Sequence, residues 1–385
     1  MVYKYEEGEC KMMKAIADNE IDYIGYISNR TSTMKPWRSL LSLLVYLVLG
    51  NSIQCITQFD PELTKDITKL VVDGLITDQP PPYLVRVTYS APYTNDETIF
   101  GRSPAQAKVS IRDDQGEIEK LRYTSNGYFI SSATGMRGVE GRKYFVSIVL
   151  PDGRQYQSRD ELLRPTPKID TLRVEFQQLT GIYLRGKFKI SVETTDPAES
   201  EDFYRWSWSH FETKEVCKVT LTFPDYTKIY WSCCVPCWSV IRCEGCINIA
   251  SDKLINGKKF VDQYLVDVPY TSAEPYFLLA QQQSLTKEAF NFWNKVRGQL
   301  NNSGGVFDTP PVLIQGNIYN VSYPDEQILG YFGASSIRYM PYYVDRLVTG
   351  VPPFRHVGFG AKTIPCKPCV ESYLTTSFRP LGWVD

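Results

Sequence analysis

The sequence predicts a mainly β protein: an N-terminal immunoglobulin-like β-sandwich followed by a second β-rich domain with one long amphipathic helix. Two observations carry this. From about Leu70 onward, short β-branched and aromatic runs alternate with turn signals, the pattern of a sandwich. Only one stretch, near residues 285–300, repeats its apolar residues at helical spacing. A chain of 385 residues is long enough to bury a substantial core and to hold two domains.

The first domain is expected over residues 70–166. Leu70-Val-Val-Asp-Gly-Leu-Ile-Thr77, Tyr83-Leu-Val-Arg-Val-Thr-Tyr89 and Ala107-Lys-Val-Ser-Ile111 read as strands. Asp113-Asp-Gln-Gly116 reads as a turn, and Pro151-Asp-Gly153 joins Lys143–Leu150 to Gln155-Tyr156 as a hairpin. Arg164-Pro-Thr-Pro-Lys168 then breaks the pattern, because proline cannot donate to a ladder, and the domain boundary is placed near Pro167. Residues 167–385 form the second domain, where Leu172–Thr194 and Phe203–Tyr230 again alternate. Its helix takes Ser284 as cap and Glu288 in the first turn. Ala289, Phe292, Trp293, Val296 and Leu300 form its apolar face, Asn301-Asn-Ser-Gly-Gly305 ends it, and the face is expected to pack on the second sheet.

Ahead of these domains, Met34-Lys-Pro-Trp-Arg38 and the apolar run Leu40–Leu49 have the proportions of a signal peptide over residues 34–54. The run is too short to span a bilayer comfortably. Cys55 sits where a lipoprotein signal peptidase would cut, so its thiol is the expected lipid anchor, with residues 55–69 as anchor and tether. Ser52-Ile53-Gln54 departs from the usual pattern in lacking a small residue directly before the cysteine. Residues 1–33 are polar and would displace the signal from the N-terminus, so they read as an upstream extension with Met34 as the true initiator.

Lys and Arg number 42 against 43 Asp and Glu, and without residues 1–54 the count is 36 against 37, which gives no electrostatic footprint for nucleic acid. Catalytic signals are thin. Histidine is limited to His210 and His356, no H-E-x-x-H or G-x-S-x-G motif occurs, and the acidic pairs Asp113-Asp114 and Glu201-Asp202 read as solvated turns. The reading is a protein that is not an enzyme, with no catalytic residue, no cofactor and no metal.

Apart from Cys10 and Cys55, eight cysteines remain, all in the second domain: Cys217, Cys233, Cys234, Cys237, Cys243, Cys246, Cys366 and Cys369. Three pairs have C-x-x-C spacing, which in a reducing compartment suggests zinc, whereas an even count outside the cytosol suggests disulfides. The export signal favours disulfides, with zinc and a redox-active pair as the alternatives. The expected pattern staples the Cys233–Cys246 loop within itself and pairs Cys366 with Cys369, or crosses from there to that loop. Upstream, Tyr204, Trp206, Trp208 and His210 alternate on one face of a strand, with Arg205, Ser207 and Ser209 on the other. This row reads either as sandwich core with a polar outer face or as a platform of Tyr204, Trp206 and Trp208 for a glycan or peptide.

Several segments together resemble a known family. They are Cys55 with Phe59-Asp-Pro-Glu62, Leu70–Thr77, Asp152-Gly-Arg-Gln-Tyr-Gln-Ser158, Pro167-Lys-Ile-Asp170 and Phe307-Asp-Thr-Pro-Pro311, then Gly316-Asn-Ile318, Leu329-Gly-Tyr-Phe332, Cys366-Lys-Pro-Cys369 and Pro380-Leu-Gly-Trp383. The chain is similar in these to the Bacteroidota lipoproteins grouped as domain of unknown function DUF 4249. The resemblance implies an outer-membrane lipoprotein, often encoded beside a TonB-dependent receptor, with a sandwich front end like carboxypeptidase regulatory domains, and it carries over no catalytic residue. The expected function is therefore that of a surface-exposed lipoprotein, an accessory or docking partner of a TonB-dependent receptor in uptake or envelope assembly. A glycan- or peptide-binding surface lipoprotein is the alternative, and an envelope hydrolase or thiol-redox protein a third.

Overall fold

The computed structural model describes residues 68–90, 102–179, 186–213, 219–222, 227–230, 236–271, 275–302, 313–347, 349 and 369–384. The upstream extension, the signal segment, Cys55, Cys217, Cys233, Cys234 and Cys366 lie outside them. The described residues belong to one compact unit, Asp66–Asp385. Among them no helix is long and apolar enough to cross a membrane.

Eight strands open the fold: β1 (Leu70–Thr77), β2 (Leu84–Tyr89), β3 (Lys108–Asp113), β4 (Ile118–Tyr123), β5 (Tyr128–Ile130), β6 (Lys143–Val149), β7 (Gln155–Ser158) and β8 (Glu161–Leu162). Alternation decides which face each one buries. In β6, Tyr144, Val146 and Ile148 point inward between partly exposed neighbours, and Val109 and Ile111 of β3 meet them from the adjoining strand. The predicted hairpin forms between β6 and β7, with Gly153 at φ +89° closing the turn. Asp113, expected to be solvated, is buried instead. It accepts the amide protons of Gln115 (3.1 Å) and Glu117 (2.7 Å) within the turn and pairs with Arg142 at 2.9 Å.

The second group begins with β9 (Thr171–Gln178), β10 (Gly186–Thr195), β11 (Phe203–Thr213), β12 (Val219–Thr222), β13 (Thr227–Tyr230), β14 (Trp238–Arg242), β15 (Asn248–Ser251), β16 (Lys259–Pro269) and β17 (Tyr276–Leu285). Helix α1 (Lys287–Leu300) follows, then β18 (Ile318–Asn320), β19 (Leu329–Ser335), β20 (Ile337–Val344) and β21 (Thr375–Thr376). A three-stranded sheet, β16-β10-β9, faces a six-stranded one built on β20-β17-β11-β14-β21 with β15 also on β11. Phe188, Ile190, Phe260 and Val268 from the first meet Tyr204, Trp206, Leu278 and Val344 from the second in one core. On the far side of β11, Phe203 joins Ile249, Leu285 and Ala289 beneath α1. The expected polar outer face of β11 is thus covered, because α1 needs an apolar surface for its own stripe.

Two expectations are corrected here. Helix α1 occupies the expected range, but at 14 residues it is of ordinary rather than great length, and its N-cap is Thr286, whose hydroxyl accepts from the Ala289 amide at 3.1 Å. Ser284 lies inside β17, where its hydroxyl donates to the Arg164 carbonyl at 2.6 Å. The second correction concerns the domains. The front sheet runs β18-β7-β6-β3-β4-β5-β2-β1-β19, so two of its strands come from beyond α1. β19 pairs parallel with β1 from Val71–Leu329 to Thr77–Ser335, and Ile318, Ile328, Phe332 and Ala334 complete the front core. The second group of strands is an insertion between β8 and β18, not a domain appended at Pro167. Close packing enforces the splice: Gly330, at φ +92°, stands where a Cβ would lie 1.9 Å from the Val72 carbonyl oxygen.

A fragment covering residues 70–166 lacks β18 and β19 and leaves β1 as an open edge, which favours association with other chains. Produced alone, it is expected to show no cooperative urea unfolding. A sharp two-state transition for that fragment would refute the splice.

Candidate functional site

A cavity of about 280 Å³ opens where the inserted strands meet the front sheet. Its walls come from four strands and a helix: Asp73 of β1, Arg205 of β11, Gln283 of β17, Tyr331 and Ser335 of β19, and Trp293 of α1. The cavity exists only because β19 brings Tyr331 and Ser335 alongside Asp73, with Asp73 opposite Tyr331 in the parallel register.

The electrostatics follow from that enclosure. Asp73 is reached by solvent through the mouth yet closely surrounded by protein, and desolvation pushes its carboxyl above the usual range against the pull of Arg205 and Arg86. Burial likewise draws the Arg205 guanidinium downward, opposed by Asp73. Arg205 lies 4.1 Å over the Trp293 ring and donates to the Cys246 carbonyl at 3.4 Å, which fixes its plane. Among the described residues, Asp73 closes no direct ion pair, so a carboxylate, a guanidinium and an indole face one small space with part of their bonding capacity unspent.

Beneath the cavity floor lies a polar knot. Glu161 of β8 accepts from Thr286 (2.7 Å), from Asn317 (3.3 Å) and from the Tyr331 hydroxyl. Burial pushes its carboxyl up to about 6 in spite of those three donors. The same burial, with Glu161 beside it, raises the Tyr331 hydroxyl far above the phenol range, so it remains a donor. This knot joins β8, β19 and the first turn of α1, and so holds the cavity wall in place.

The sequence-predicted residues are dispersed differently. Tyr204 and Trp206 are fully buried and Trp208 is partly buried, all packed in the inserted core, so the row is not an exposed platform. Tyr204 donates to Asp196 at 2.7 Å and Trp206 to Gln282 at 2.7 Å, which satisfies their polar ends inside the core. His210 is also buried; its Nδ1 donates to the Phe277 carbonyl at 2.6 Å and its ring stacks on Tyr276. Cys243 bonds to Cys246, a staple within the expected loop. Cys369 bonds to Cys237, the crossing arrangement, and this excludes the pairing of Cys369 with Cys366. Sequence reasoning missed Asp73, Gln283 and Tyr331 as site residues, since nothing local marks strand residues that meet only through a long-range parallel pairing.

The Cys237–Cys369 bond also fastens a terminal strap, residues 369–384, along the edge of the inserted sheet. β21 pairs with Trp238 and Ser239, and Trp383 packs against Trp238 and Phe277. The outer side of the strap carries Val370, Tyr373, Leu374, Phe378, Leu381 and Val384, each more than half exposed.

These features define a β protein of two spliced cores with a charged cavity at their junction. The chain belongs to the family described as "Domain of unknown function (DUF4249)", which matches residues 56–339. A search of curated proteins finds no match.

The folded carboxyl of Glu161 holds its proton to about pH 6, whereas an unfolded one releases it near 4.5. Its contribution is therefore complete below pH 4.5 and lost as pH rises through 6, a decline of about 2 kcal/mol. Urea unfolding at pH 4.5 and pH 7 should show this slope in the wild-type protein and a flatter one in Glu161→Gln. Equal slopes would remove Glu161 as its source.

Proposed function

We propose that this chain is a non-catalytic lipoprotein of the bacterial outer membrane, anchored through Cys55 and surface-exposed, that docks on a TonB-dependent receptor. The observation that carries this reading is the terminal strap. Six large apolar side chains stay exposed within one 16-residue segment held by a disulfide and a short strand pairing, and apolar surface concentrated in that way marks a contact site for another protein. Cys243–Cys246 and Cys237–Cys369 add support, because disulfides persist in oxidising compartments such as the bacterial periplasm and the cell surface. Family membership is consistent with it and supplies no activity of its own.

Affinity capture of the tagged chain at near-native expression in its host should co-purify a β-barrel receptor. The double variant Leu374→Asp and Phe378→Asp, both at exposed positions, should lose that receptor while keeping its thermal midpoint within about 2 °C, as expected for surface substitutions. Capture of the wild-type chain alone would count decisively against the docking reading.

The cavity favours a second reading, in which the protein binds a glycan unit or a short peptide there rather than on the Tyr204 row. Trp293 adds apolar surface to the lining, and Asp73 and Arg205 together suit a ligand with hydroxyls or paired opposite charges. Screening against glycans and dipeptides should find a ligand whose affinity falls at least about tenfold in Arg205→Gln, a loss in keeping with one charged hydrogen bond. Binding that is indifferent to that change would place the ligand elsewhere.

A further inference from the structure

Away from the cavity, three carboxylates converge where three strands begin or end. Asp196 follows β10, Asp202 precedes β11 and Asp252 follows β15, and all three are buried. One oxygen from each lies within 4.8 Å of the others. We propose that Asp196, Asp202 and Asp252 form a binding site for one Ca²⁺ ion.

The partners of each carboxylate show what is missing. Asp196 accepts from the Tyr204 hydroxyl at 2.7 Å and from the Gly257 amide at 3.0 Å. Asp202 accepts from Arg164 at 2.9 Å and from the Ser200 hydroxyl at 2.8 Å. Both oxygens of Asp252 are buried without a hydrogen-bond partner, and its side chain faces the other two. The Asp202 amide approaches the Asp252 carboxylate without reaching hydrogen-bond geometry. Burial and the charges of Asp196 and Asp202 outweigh that pull and hold the carboxyl above its usual range. Arg164 is the one cation paired with the trio among the described residues, and Glu201 adds a further negative charge nearby. A buried carboxylate with no donor beside two others is unfavourable unless a cation completes it.

The donor chemistry selects the ion. The group holds carboxylate oxygens only, without histidine or cysteine, which suits a hard cation rather than zinc. Ca²⁺ binds oxygens at about 2.3–2.6 Å, so opposed ligands stand up to about 5 Å apart, the span found here. It also tolerates the irregular arrangement of ligands already committed to other bonds, where Mg²⁺ demands a near-ideal octahedron. Each hydrogen-bonded oxygen keeps a lone pair for the ion. Asp252 is sealed from solvent, which keeps water from satisfying its carboxylate in place of the ion. The site would tie the β10–β11 connection to the turn after β15 and, through Arg164, to the segment leaving the front sheet.

The test uses the full-length chain in detergent, stripped with EGTA and titrated with CaCl₂. The thermal midpoint of the wild-type protein should rise by about 5 °C at a hundredfold excess over Kd. Asp114→Asn, an exposed control, should respond equally and Asp252→Asn not at all. Should Asp252→Asn fail to fold, Tb³⁺ bound to the wild-type protein should luminesce on excitation of Tyr204 and Trp206 and be displaced by Ca²⁺. No calcium response in the wild type, a response kept in a folded Asp252→Asn, or stabilisation by Mg²⁺ but not Ca²⁺ overturns the proposal.

Discussion

The parallel ladder between β1 and β19 is the constraint from which the remainder follows. Parallel strands cannot be joined by a tight turn, and here the crossover contains an entire second core together with α1. Because β19 runs straight into β20, the chain passes from one core to the other across Ser335 and Ser336 with no slack. Ser336 is held there from both sides: its amide donates to Ser284, and its hydroxyl lies 2.7 Å from Asp78 and 2.9 Å from Glu140, sharing its one proton between them. The two cores therefore share a boundary that is covalently short and hydrogen-bonded at Ser336, and the cavity lies along it.

Charged groups gather along the same boundary. Asp73 with Arg205, Glu161 with its three donors, and Arg164 with Asp202 all lie where strands of the front sheet meet inserted elements. Apolar contacts alone fill each core well but leave the seam between them undirected. Charged and hydrogen-bonded groups, which are stable when buried only in the right geometry, can specify one arrangement of the two.

Much of this was legible in the sequence, and the remainder was hidden for a physical reason. Period-two alternation gave β1, β2, β3 and β6, and Pro151-Asp-Gly153 gave the β6–β7 hairpin, since both signals are local. The helix range was legible from its apolar spacing, although Thr286 rather than Ser284 caps it because β17 runs one residue past Ser284. The two-domain map failed because no local signal announces that Leu329–Ser335 returns to β1. The same limit applies to the sites. Asp73, Arg205 and Trp293 are far apart in sequence and meet only through sheet register, and Asp252 reaches the nearby pair Asp196 and Asp202 in the same way. Glu201-Asp202 looked like a solvated pair, and the fold sends Asp202 inward to Arg164 and Ser200 while Glu201 stays exposed beside Lys287.

The position of β1 has a mechanical consequence. It is an interior strand next to the sheet edge, flanked by β2 on one side and the edge strand β19 on the other. Tension applied through the residues ahead of Leu70 runs along its axis and loads both ladders in shear, rather than peeling one bond at a time. The strand nearest the N-terminal segment is thus the one best placed to resist being drawn out, so a chain tethered at that end can bear a pull without surrendering its fold.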